Sequence, residues 1–396
     1  MDITIQPRLL RGTLSVIPSK SMAHRMLICA AFADSPTQLH CHDTNRDIEA
    51  TAQCLRELGA KIQTTSSGYS IVPAAEIPEQ ARLNCGESGS TLRFLLPVCG
   101  ALGVDTTFVM EGRLPYRPLS PLWEEMERMG CSLSRPTDTT LRCSGKLKPG
   151  AYTIAGNVSS QYITGLLLGL SLIADKSTLE ITGTIESKPY ITMTYKVMQM
   201  FGVDPNAPGT ERFHSPGQLT VEGDWSNGAF FLAANFLDSY VNIEGLSADS
   251  PQGDKMVAEI LQQMKYSCPT VSAADIPDLI PVLSVAAAFS HGAVFTDIQR
   301  LRLKESDRVS SIVALINSLG GCASASENTL SIEARPLSGG TVCSYNDHRI
   351  AMSAAIAATA CTNPVTILGA EAVNKSYPRF WEEYARLGGN YEQHIR

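Results

Sequence analysis

The densest group of chemically capable side chains in this chain of 396 residues is the pentapeptide Lys-Glu-Ser-Asp-Arg at positions 304–308. An apolar run with helical periodicity follows it, from Val309 to Leu319. We therefore expect the pentapeptide to start a helix, with Ser306 as the cap and Asp307 favouring the positive end. Its two cations lie where free backbone N–H groups also attract anions, which favours an anion site. The alternative is an ordinary solvated helix start with an i,i+4 charge pattern.

Similar polar starts followed by apolar runs recur along the chain, which strengthens the anion-site interpretation. The cations at these starts or in the loops beside them are Lys20, Arg25, Arg93, Arg113, Lys304, Arg308, Arg349 and Lys375, and the neutral donors are Ser159, Ser160 and Gln161. Two carboxylates, Asp278 and Glu305, lie among them. If the starts converge, contacts of roughly 1.5–3 kcal/mol each could hold a phosphate and a carboxylate together. The two carboxylates would stay ionised in that positive field and could act as bases.

Structural explanations compete for several of these residues. Arg93 lies inside an apolar run and could form a buried structural pair, while Arg113 and Arg117 could be ordinary loop charges. Asp347 and His348 suggest part of a catalytic triad, but no Gly-x-Ser-x-Gly motif is present. We therefore interpret these two as a helix cap or bracing groups. A Walker A motif is also missing, which argues against ATP-dependent phosphoryl transfer.

The composition excludes several functional classes. A net charge of −7, with 18% charged and 44% hydrophobic residues, is typical of a globular protein and argues against general binding of nucleic acid or acidic membranes. The 11 cysteines are an odd number without a Cys-x-x-Cys pair, which indicates reduced thiols in a cytoplasmic protein. His40-Cys41-His42 alternates as a strand does, so we expect no metal site there. No signal peptide or membrane-spanning run is visible in the sequence.

Two helix patterns alternate along the chain. One begins with small polar residues and is apolar on all sides, as buried helices are. Its runs are Met26–Phe32, Leu92–Leu102, Ile163–Ile173, Ala229–Leu237, Leu279–Phe289 and Ile350–Ala360. The other pattern is amphipathic and usually stops at a glycine, consistent with a left-handed residue after the helix. Its runs are Arg46–Leu58, Pro121–Met129, Tyr190–Phe201, Gln252–Met264, Lys304–Leu319 and Pro378–Leu387.

Short β-rich runs lie between these helices, so the chain consists of about six copies of a unit of roughly 65 residues. Each copy has two helices and a small sheet. Three copies per lobe, with the buried helices innermost, predict a two-lobed inside-out α/β barrel of the α+β type. We place one lobe at 14–221 and the other at 1–13 with 222–396, with a hinge near Gly217–Gly223. Facing lobes of this kind would gather the six polar starts around one cleft.

Taken together, the motifs resemble the 5-enolpyruvylshikimate-3-phosphate (EPSP) synthase family of enolpyruvyl transferases. The resemblance spans the chain and is carried by Pro18–Arg25, Gly86–Arg93, Glu111–Pro118, Ser159–Gln161, Ser187–Tyr190, Ile276–Asp278, Lys304–Arg308, Tyr345–Arg349 and Asn374-Lys375. The Lys-Glu-Ser-Asp-Arg and Asn-Asp-His-Arg motifs, in this order and spacing, are highly specific. The fold of that family, two inside-out lobes of three repeats each, agrees with the six-unit interpretation.

The resemblance implies transfer of the enolpyruvyl group of phosphoenolpyruvate to the 5-hydroxyl of shikimate 3-phosphate, with release of phosphate and without a metal or redox cofactor. It implies a monomer whose partners are these two small molecules. Shikimate 3-phosphate would be bound by Lys20, Ser21, Arg25, Ser159, Ser160, Gln161, Ser187, Asp278 and Lys304. Phosphoenolpyruvate would be bound by Lys20, Gly89, Arg113, Gln161, Arg308, Arg349 and Lys375.

The same resemblance assigns catalytic roles. Asp278 would accept the proton of the attacking hydroxyl, and Glu305 with Lys375 would handle the proton at the enol methylene. Lys20 is the fourth expected catalytic residue. Crowded cations would lower the pKa of a lysine and bind the leaving phosphate.

Some positions depart from the family pattern. Glu87 stands where many members have Asn, and its carboxylate would weaken phosphoenolpyruvate binding unless an arginine pairs with it. Ser90 replaces a Thr of the same loop. Arg300 stands where Asn is common, so we leave it out of the site. The Glu87 carboxylate would affect the expected contact at Gly89 more than that at Arg113.

Two alternative functions share features with this one. UDP-N-acetylglucosamine enolpyruvyl transferases share the fold and phosphoenolpyruvate, but they begin with a Lys-Asn pair and carry a reactive Cys or Asp in a mobile loop. Here the pair is Lys20-Ser21, and the corresponding loop has Arg113 and Arg117 without a Cys. An inactive anion-binding module of the same fold would have lost Asp278 or Glu305, and both are present.

Overall fold

The computed structural model describes residues 1–394, which form two compact units. One unit, here called the continuous unit, is Pro18–Glu222. The other, the split unit, combines Met1–Ile17 with the chain from Gly223 onward. The first boundary falls at Pro18 rather than at residue 14, because Leu14 belongs to strand β2 (Arg11–Ser15), which pairs in parallel with strand β13 (Tyr240–Glu244) of the split unit.

The continuous unit contains three pairs of helices. They are α1 (Lys20–Ala31), α2 (Arg46–Glu57), α3 (Gly89–Leu102), α4 (Leu122–Arg128), α5 (Ser160–Leu170) and α6 (Lys188–Met200). Helices α1, α3 and α5 are buried on nearly all faces, whereas α2 buries a single stripe. A Cβ on Gly165 would lie 2.2 Å from the carbonyl oxygen of Arg93, so glycine allows α5 to approach the backbone of α3. This close packing brings the starts of the two helices together.

Three sheets accompany these helices. Their strands are β3 (Thr37–His40), β4 (Lys61–Thr65), β5 (Gly68–Val72), β6 (Gln80–Gly86), β7 (Asp105–Met110), β8 (Cys131–Thr137), β9 (Thr140–Gly145), β10 (Ala151–Ala155), β11 (Thr178–Thr182) and β12 (Gln218–Thr220). The strand orders are β12-β3-β5-β4, β6-β7-β9-β8 and β10-β11. Each sheet belongs to one helix pair, and the last strand of the unit returns to the first sheet.

The split unit repeats this plan. Its helices are α7 (Trp225–Phe236), α8 (Val257–Met264), α9 (Ile280–Ala288), α10 (Arg308–Ser318), α11 (His348–Ala358) and α12 (Phe380–Arg386). Its strands are β1 (Asp2–Gln6), β2 (Arg11–Ser15), β13 (Tyr240–Glu244), β14 (Thr270–Ser272), β15 (Ala293–Thr296), β16 (Ala323–Ala325), β17 (Thr329–Ile332), β18 (Gly340–Cys343), β19 (Val365–Leu368) and β20 (Asn390–His394). They form sheets in the orders β18-β19-β1-β20, β14-β15-β17-β16 and β13-β2. The predicted six repeats of two helices and a small sheet are therefore confirmed.

Two helices start well after the predicted residue. Helix α10 begins at Arg308 rather than at Lys304, because residues 299–303 form a separate 3-10 helix and Asp307 is the cap. The Asp307 carboxylate accepts a hydrogen bond from the backbone N–H of Ser310 at 3.2 Å, so Ser306 is not the cap. The predicted helix from Gln252 is likewise two pieces, a 3-10 turn at Gly253–Met256 and then α8.

Other local predictions hold. The glycines that follow the amphipathic helices all have positive φ angles, from 73° to 112°; they are Gly59, Gly130, Gly202, Gly320 and Gly388. All 11 cysteines are free thiols, and most are buried. In the part of the chain that the structure describes, no helix has the length and apolar character needed to cross a membrane.

Candidate functional site

Arg308 is the centre of an ion-pair cluster in the split unit. It is the first residue of α10, its side chain is 1% exposed, and each of its nitrogens donates to a different carboxylate. Nε donates to Asp347 at 2.9 Å, Nη1 to Asp278 at 2.6 Å and Nη2 to Glu305 at 2.7 Å. Burial lowers the pKa of Arg308, but the three carboxylates raise it well above its usual value. One charged guanidinium thus joins the starts of α9, α10 and α11.

Asp347 holds its position in this cluster as the cap of α11. One of its carboxylate oxygens accepts the backbone N–H of Arg349 at 2.9 Å. The other accepts Arg308 Nε and, at 3.0 Å, the hydroxyl of Ser306. The two residues before it, Tyr345 and Asn346, have left-handed φ angles of 53° and 56°, which turn the chain sharply into the helix. The interpretation of Asp347 as a helix cap is confirmed.

Asp278 is one of two carboxylates of the cluster that solvent can reach, since its side chain is 20% exposed and that of Glu305 is 25% exposed, whereas Asp347 is fully buried. Its second oxygen lies 3.3 Å from Arg349 Nη2, and the ammonium of Lys304 lies 3.9 Å from its first oxygen. Burial raises the pKa of Asp278, but Arg349, Lys304 and Arg308 together bring it well below the usual value. Asp278 is therefore ionised at neutral pH and poised among three cations.

Two further cations of the split unit lie beside this cluster. Arg349 is 4% exposed, donates from Nη1 to the backbone carbonyl of Ser226 at 3.0 Å and lies 5.9 Å above the Phe230 ring. Lys375 ends a 3-10 helix and donates to the carbonyl of Asn346 at 2.8 Å. The structure thus gathers the predicted site residues of this unit, namely Asp278, Lys304, Glu305, Arg308, Arg349 and Lys375.

The charge balance of this cluster differs from the sequence-based expectation. Arg308 was expected to offer an open cation at a helix start, whereas its donors already serve three carboxylates. Lys304 is also less cationic than an exposed lysine, because burial lowers its pKa to about 8 against the opposing effect of Asp278. Direct contact of Arg308 with a bound anion therefore requires a carboxylate to release it and stays a prediction.

In the continuous unit, two guanidinium groups lie against the N-terminus of α3. A Cβ on Gly89 would be 2.6 Å from Arg93 Nη1 and 2.7 Å from Arg117 Nη1, so a larger residue would displace them. Arg93 Nη1 also donates to the Gln161 side-chain oxygen at 3.2 Å, and the Gln161 amide donates to Ser90 Oγ at 3.0 Å. Paired cations at the N-terminus of a helix make a favourable place for an anion.

Arg93 was counted among the cations of the anion site predicted from the sequence, but neither Arg93 nor Arg117 was given a substrate-binding role. The available signal was the spacing of Gly89 and Arg93, because side chains four residues apart share a helix face and lean toward the N-terminus. Arg93 therefore reaches back over the glycine. Arg117 comes from a distant loop, and nothing in the local sequence indicates that it reaches the same spot.

Lys20 and Arg25 lie on α1 and are both held by specific contacts. The Lys20 ammonium pairs with Asp47 at 2.8 Å, and the side chains of both are less than one-fifth exposed. Arg25 is buried and donates to neutral oxygens, among them the Ser21 carbonyl at 2.6 Å and the Thr194 hydroxyl at 2.8 Å. Burial lowers its pKa to about 10, so it stays charged at neutral pH. Its hydrogen bonds do not cancel that charge, which remains available to an anion.

The other predicted residues of this unit occupy helix starts and one loop. Ser159 caps α5 by accepting the backbone N–H of Gln161 at 3.3 Å, and Ser160 is the first residue of that helix. Ser187 precedes α6 in a left-handed conformation and is buried. Arg113, by contrast, is exposed on the loop before Leu114.

Glu87 contacts the same loop as Arg113. A Cβ on Gly112 would lie 2.4 Å from the Glu87 carboxylate, so this carboxylate rests directly on the glycine that precedes Arg113 in the chain. Glu87, which stands where many family members have Asn, therefore contacts the loop that carries Arg113 and also lies two residues before Gly89 in the chain. Whether Glu87 weakens anion binding stays a prediction.

Comparison with known proteins identifies the same family along almost the whole chain. The family model described as EPSP synthase (3-phosphoshikimate 1-carboxyvinyltransferase) matches residues 5–384. A 3-phosphoshikimate 1-carboxyvinyltransferase of Clostridium kluyveri is 37% identical over 99% of this chain and 98% of the relative. Another of Clostridium acetobutylicum is 35% identical over the same shares.

Solved structures show the same fold. An EPSP synthase from Acinetobacter baumannii superposes with a TM-score of 0.80 at 23% identity, over 99% of this chain and all of that one. The enolpyruvyl transferase NikO from Streptomyces tendae gives a TM-score of 0.78 at 18% identity, over 100% of this chain and 99% of that one. At such identities the likeness concerns the fold alone.

Proposed function

This chain belongs to the EPSP synthase family, and we propose that it transfers the enolpyruvyl group of phosphoenolpyruvate to the 5-hydroxyl of shikimate 3-phosphate. Phosphate is released, and the reaction is an addition–elimination in the biosynthesis of aromatic amino acids. The proposal depends mainly on the surroundings of Asp278. Its carboxylate is ionised and partly exposed, and it lies among Lys304, Arg308 and Arg349. It joins a proton acceptor to cations suited to phosphorylated substrates.

In the split unit, we propose one base, one proton carrier and a set of anion-binding cations. Asp278 accepts the proton of the attacking hydroxyl, and Lys304 binds shikimate 3-phosphate beside it. Glu305 and Lys375 deliver and remove the proton at the enol methylene carbon. Phosphoenolpyruvate is bound by Arg308, Arg349 and Lys375. The ion pairs among these residues support the proposal because they fix the side chains before substrate arrives.

In the continuous unit, we propose substrate-binding roles for the helix starts. Shikimate 3-phosphate contacts Lys20, Ser21, Arg25, Ser159, Ser160, Gln161 and Ser187. Phosphoenolpyruvate contacts Lys20, Gly89, Arg113 and Gln161. The uncancelled charge of Arg25 and the hydrogen bond between Gln161 and Ser90 support these roles. To them we add Arg93 and Arg117, which lie against Gly89.

The test of the proposed function is a comparison of acceptors. Phosphate release from phosphoenolpyruvate is measured with shikimate 3-phosphate and, separately, with UDP-N-acetylglucosamine. We expect release with shikimate 3-phosphate only, at a rate at least about a hundredfold above background. Release only with UDP-N-acetylglucosamine would assign the chain to the alternative transferase. Binding of both phosphorylated substrates without any release would indicate an inactive anion-binding module.

Replacing Lys20 with methionine is expected to lower kcat by about 10²–10³-fold, because a charge-stabilising donor is lost and Asp47 is left without its ammonium partner. The fold should persist, since Lys20 is the first residue of α1 and is partly exposed. Initial rates and thermal melting of the variant measure both effects. The matched control is Lys61→Met on the exposed edge of β4, which should retain full activity. Normal turnover by the Lys20 variant would remove it from the catalytic set.

The pKa of Lys304, lowered to about 8 mainly by burial, predicts an alkaline limit to substrate binding. As the pH rises through about 8, this lysine loses its proton and its attraction for the phosphate of shikimate 3-phosphate. The KM for this substrate should therefore rise above that pH in the wild type. In Lys304→Arg, whose side chain stays charged, the rise should be absent. An identical rise in both proteins would assign the titration to another group.

We further propose that the chain acts in the cytoplasm as a monomer. The free cysteines support a reducing compartment. Sedimentation velocity with and without both substrates tests the oligomeric state, and a stable dimer would refute it.

A further inference from the structure

Asp254 is a buried carboxyl group for which the proposed reaction has no role. It lies in the 3-10 turn Gly253–Met256 of the split unit and is 3% exposed. One of its oxygens forms a hydrogen bond with the hydroxyl of Ser226. The other is buried without a hydrogen-bond partner among residues 1–394. Burying a carboxyl group in this way is costly, so its retention calls for an explanation.

The stretch that contains Asp254 fixes the start of α7. The side-chain oxygen of Gln252 accepts the backbone N–H of Trp225 at 3.0 Å, and its amide donates to the Gly223 carbonyl at 2.8 Å. Asp254 adds the contact with Ser226. Two side chains from one short segment therefore hold residues 223–226 in place.

Ser226 is in turn a direct partner of Arg349. Its backbone carbonyl accepts Arg349 Nη1 at 3.0 Å, while Nη2 of the same guanidinium faces Asp278 at 3.3 Å. Because a guanidinium is planar, fixing two of its nitrogens fixes the direction of the third. That third nitrogen, Nε, is buried without a hydrogen-bond partner among residues 1–394. The position of Ser226 therefore sets the plane of Arg349.

We propose that Asp254 is a positioning residue that, through Ser226, holds the Arg349 guanidinium in the orientation that serves both Asp278 and a substrate anion. The proposal rests on the proposed function, in which Arg349 binds phosphoenolpyruvate. Asp254 does not touch substrate. Its effect on the reaction passes through Ser226 and then through Arg349.

The surroundings of Asp254 also make its charge sensitive to pH. Burial, followed by Asp278, raises its pKa to about 7, while Arg349 and the Ser226 hydroxyl lower it and Asp224 raises it. The other charged residues on the turn and on the adjoining helix α8, Lys255 and Glu259, are exposed. Below about pH 7 the Asp254 carboxyl group is neutral. Above that pH it is ionised and adds a second negative charge, besides that of Asp278, near the Arg349 guanidinium. Anion binding by Arg349 should weaken accordingly.

The first test separates positioning from folding by using a set of variants. Asp254→Ala should raise the KM for phosphoenolpyruvate about tenfold, with the KM for shikimate 3-phosphate changed less than about twofold. Asp254→Asn can still form a hydrogen bond with Ser226, so its KM for phosphoenolpyruvate should lie within about threefold of the wild-type value. Ser226→Ala should resemble Asp254→Ala, and the double variant should be no worse than either. The control is Lys255→Ala at the exposed neighbouring position.

The second test uses pH and remains informative if Asp254→Ala fails to fold. The ratio of the wild-type KM for phosphoenolpyruvate to that of Asp254→Asn cancels the titration of the substrate itself. It should be near one at pH 6 and rise to about threefold at pH 8.5, because only the wild type can ionise at this position. A flat ratio, equal effects on both KM values, or additive losses in the double variant would overturn the proposal.

A binding measurement distinguishes this proposal from the proposed function. Calorimetric titration with inorganic phosphate, compared between the wild type and Arg349→Met to isolate the contribution of Arg349, does not require that the chain turns over. Asp254→Ala should weaken phosphate binding about fivefold and Asp254→Asn less than twofold at pH 6. The wild type could fail to release phosphate from phosphoenolpyruvate while phosphate affinity still decreased from the wild type to Asp254→Asn to Asp254→Ala. In that case the proposed function would be wrong and the positioning role would be supported. Equal phosphate affinities in all three proteins would overturn the positioning role.

Discussion

Asp278→Ala is expected to lower kcat by about 10²–10⁴-fold, because the hydroxyl that attacks the enolpyruvyl carbon loses its proton acceptor. Binding of shikimate 3-phosphate should persist, since Lys304, Arg308 and Arg349 remain and lose a competing counterion. Steady-state rates and calorimetry of this substrate measure the two quantities separately. The expected result is thus a large change in kcat with little change in affinity.

Two further variants make the Asp278 prediction specific. Asp278→Asn keeps the shape and the hydrogen bonds to the cations but cannot accept a proton, so its kcat should be nearly as low. Asp249→Ala, at an exposed position of the same unit, is the control and should be fully active. An unchanged kcat in both Asp278 variants would remove this residue as the base.

The low pKa of Asp278 raises a question, since a weakly basic carboxylate is a poor proton acceptor. The cations that lower it, Arg349, Lys304 and Arg308, are the same groups proposed to bind substrate anions. When the phosphate and carboxylate of the substrates occupy these cations, their pull on Asp278 weakens and its pKa rises. Substrate binding thereby makes the base stronger at the stage where it is needed.

Arg308→Met is expected to destabilise the split unit by about 3–5 kcal/mol and to abolish turnover. The substitution leaves Asp278, Glu305 and Asp347 without their common partner, and Asp347 has no solvent exposure. Urea unfolding at pH 7 measures the loss. Because the guanidinium lowers the pKa of Asp347 and Asp278, its stabilisation is present above about pH 4 and is lost as the pH falls. The gap in stability between variant and wild type should therefore persist from pH 7 down to about pH 4 and narrow below about pH 4.

The control for this prediction is Arg302→Met. Arg302 is 37% exposed and lies 3.5 Å from Asp307, which is a surface ion pair of at most about 1 kcal/mol. Its loss should change stability little and leave activity intact. Equal stabilities for the Arg302 and Arg308 variants would show that the buried cluster contributes nothing beyond an exposed pair.

The repeating architecture could be predicted because it is encoded locally. Buried helices are apolar on all sides and the amphipathic ones end at glycine, so six helix pairs are visible in the sequence itself. The cap at Asp347 was predictable for the same reason, since a carboxylate before a helix satisfies free N–H groups within its own turn. The family was indicated by the order and spacing of the sequence motifs, because hydrophobic periodicity alone cannot identify a family.

What the sequence did not reveal depends on contacts between distant segments. Residues 1–13 were placed with residues 222–396 from the sequence, but no local pattern indicates that strand β1 pairs with β19 and β20 near the other end of the chain. The three carboxylates that pair with Arg308 come from the starts of three helices. The sequence therefore did not indicate that the charge of Arg308 is compensated by neighbouring carboxylates. Asp254 and Arg117 were missed because each acts on a residue far away in sequence.

The proposal that this chain transfers an enolpyruvyl group can be tested most directly by the fate of one oxygen atom. Phosphoenolpyruvate carrying oxygen-18 at the bridge between carbon and phosphorus is converted in the presence of shikimate 3-phosphate, and the released phosphate is analysed by mass spectrometry. Addition–elimination breaks the carbon–oxygen bond, so the phosphate should carry the label and the acceptor should gain the enolpyruvyl mass. Unlabelled phosphate together with labelled pyruvate would mean cleavage at phosphorus and would contradict the proposed reaction.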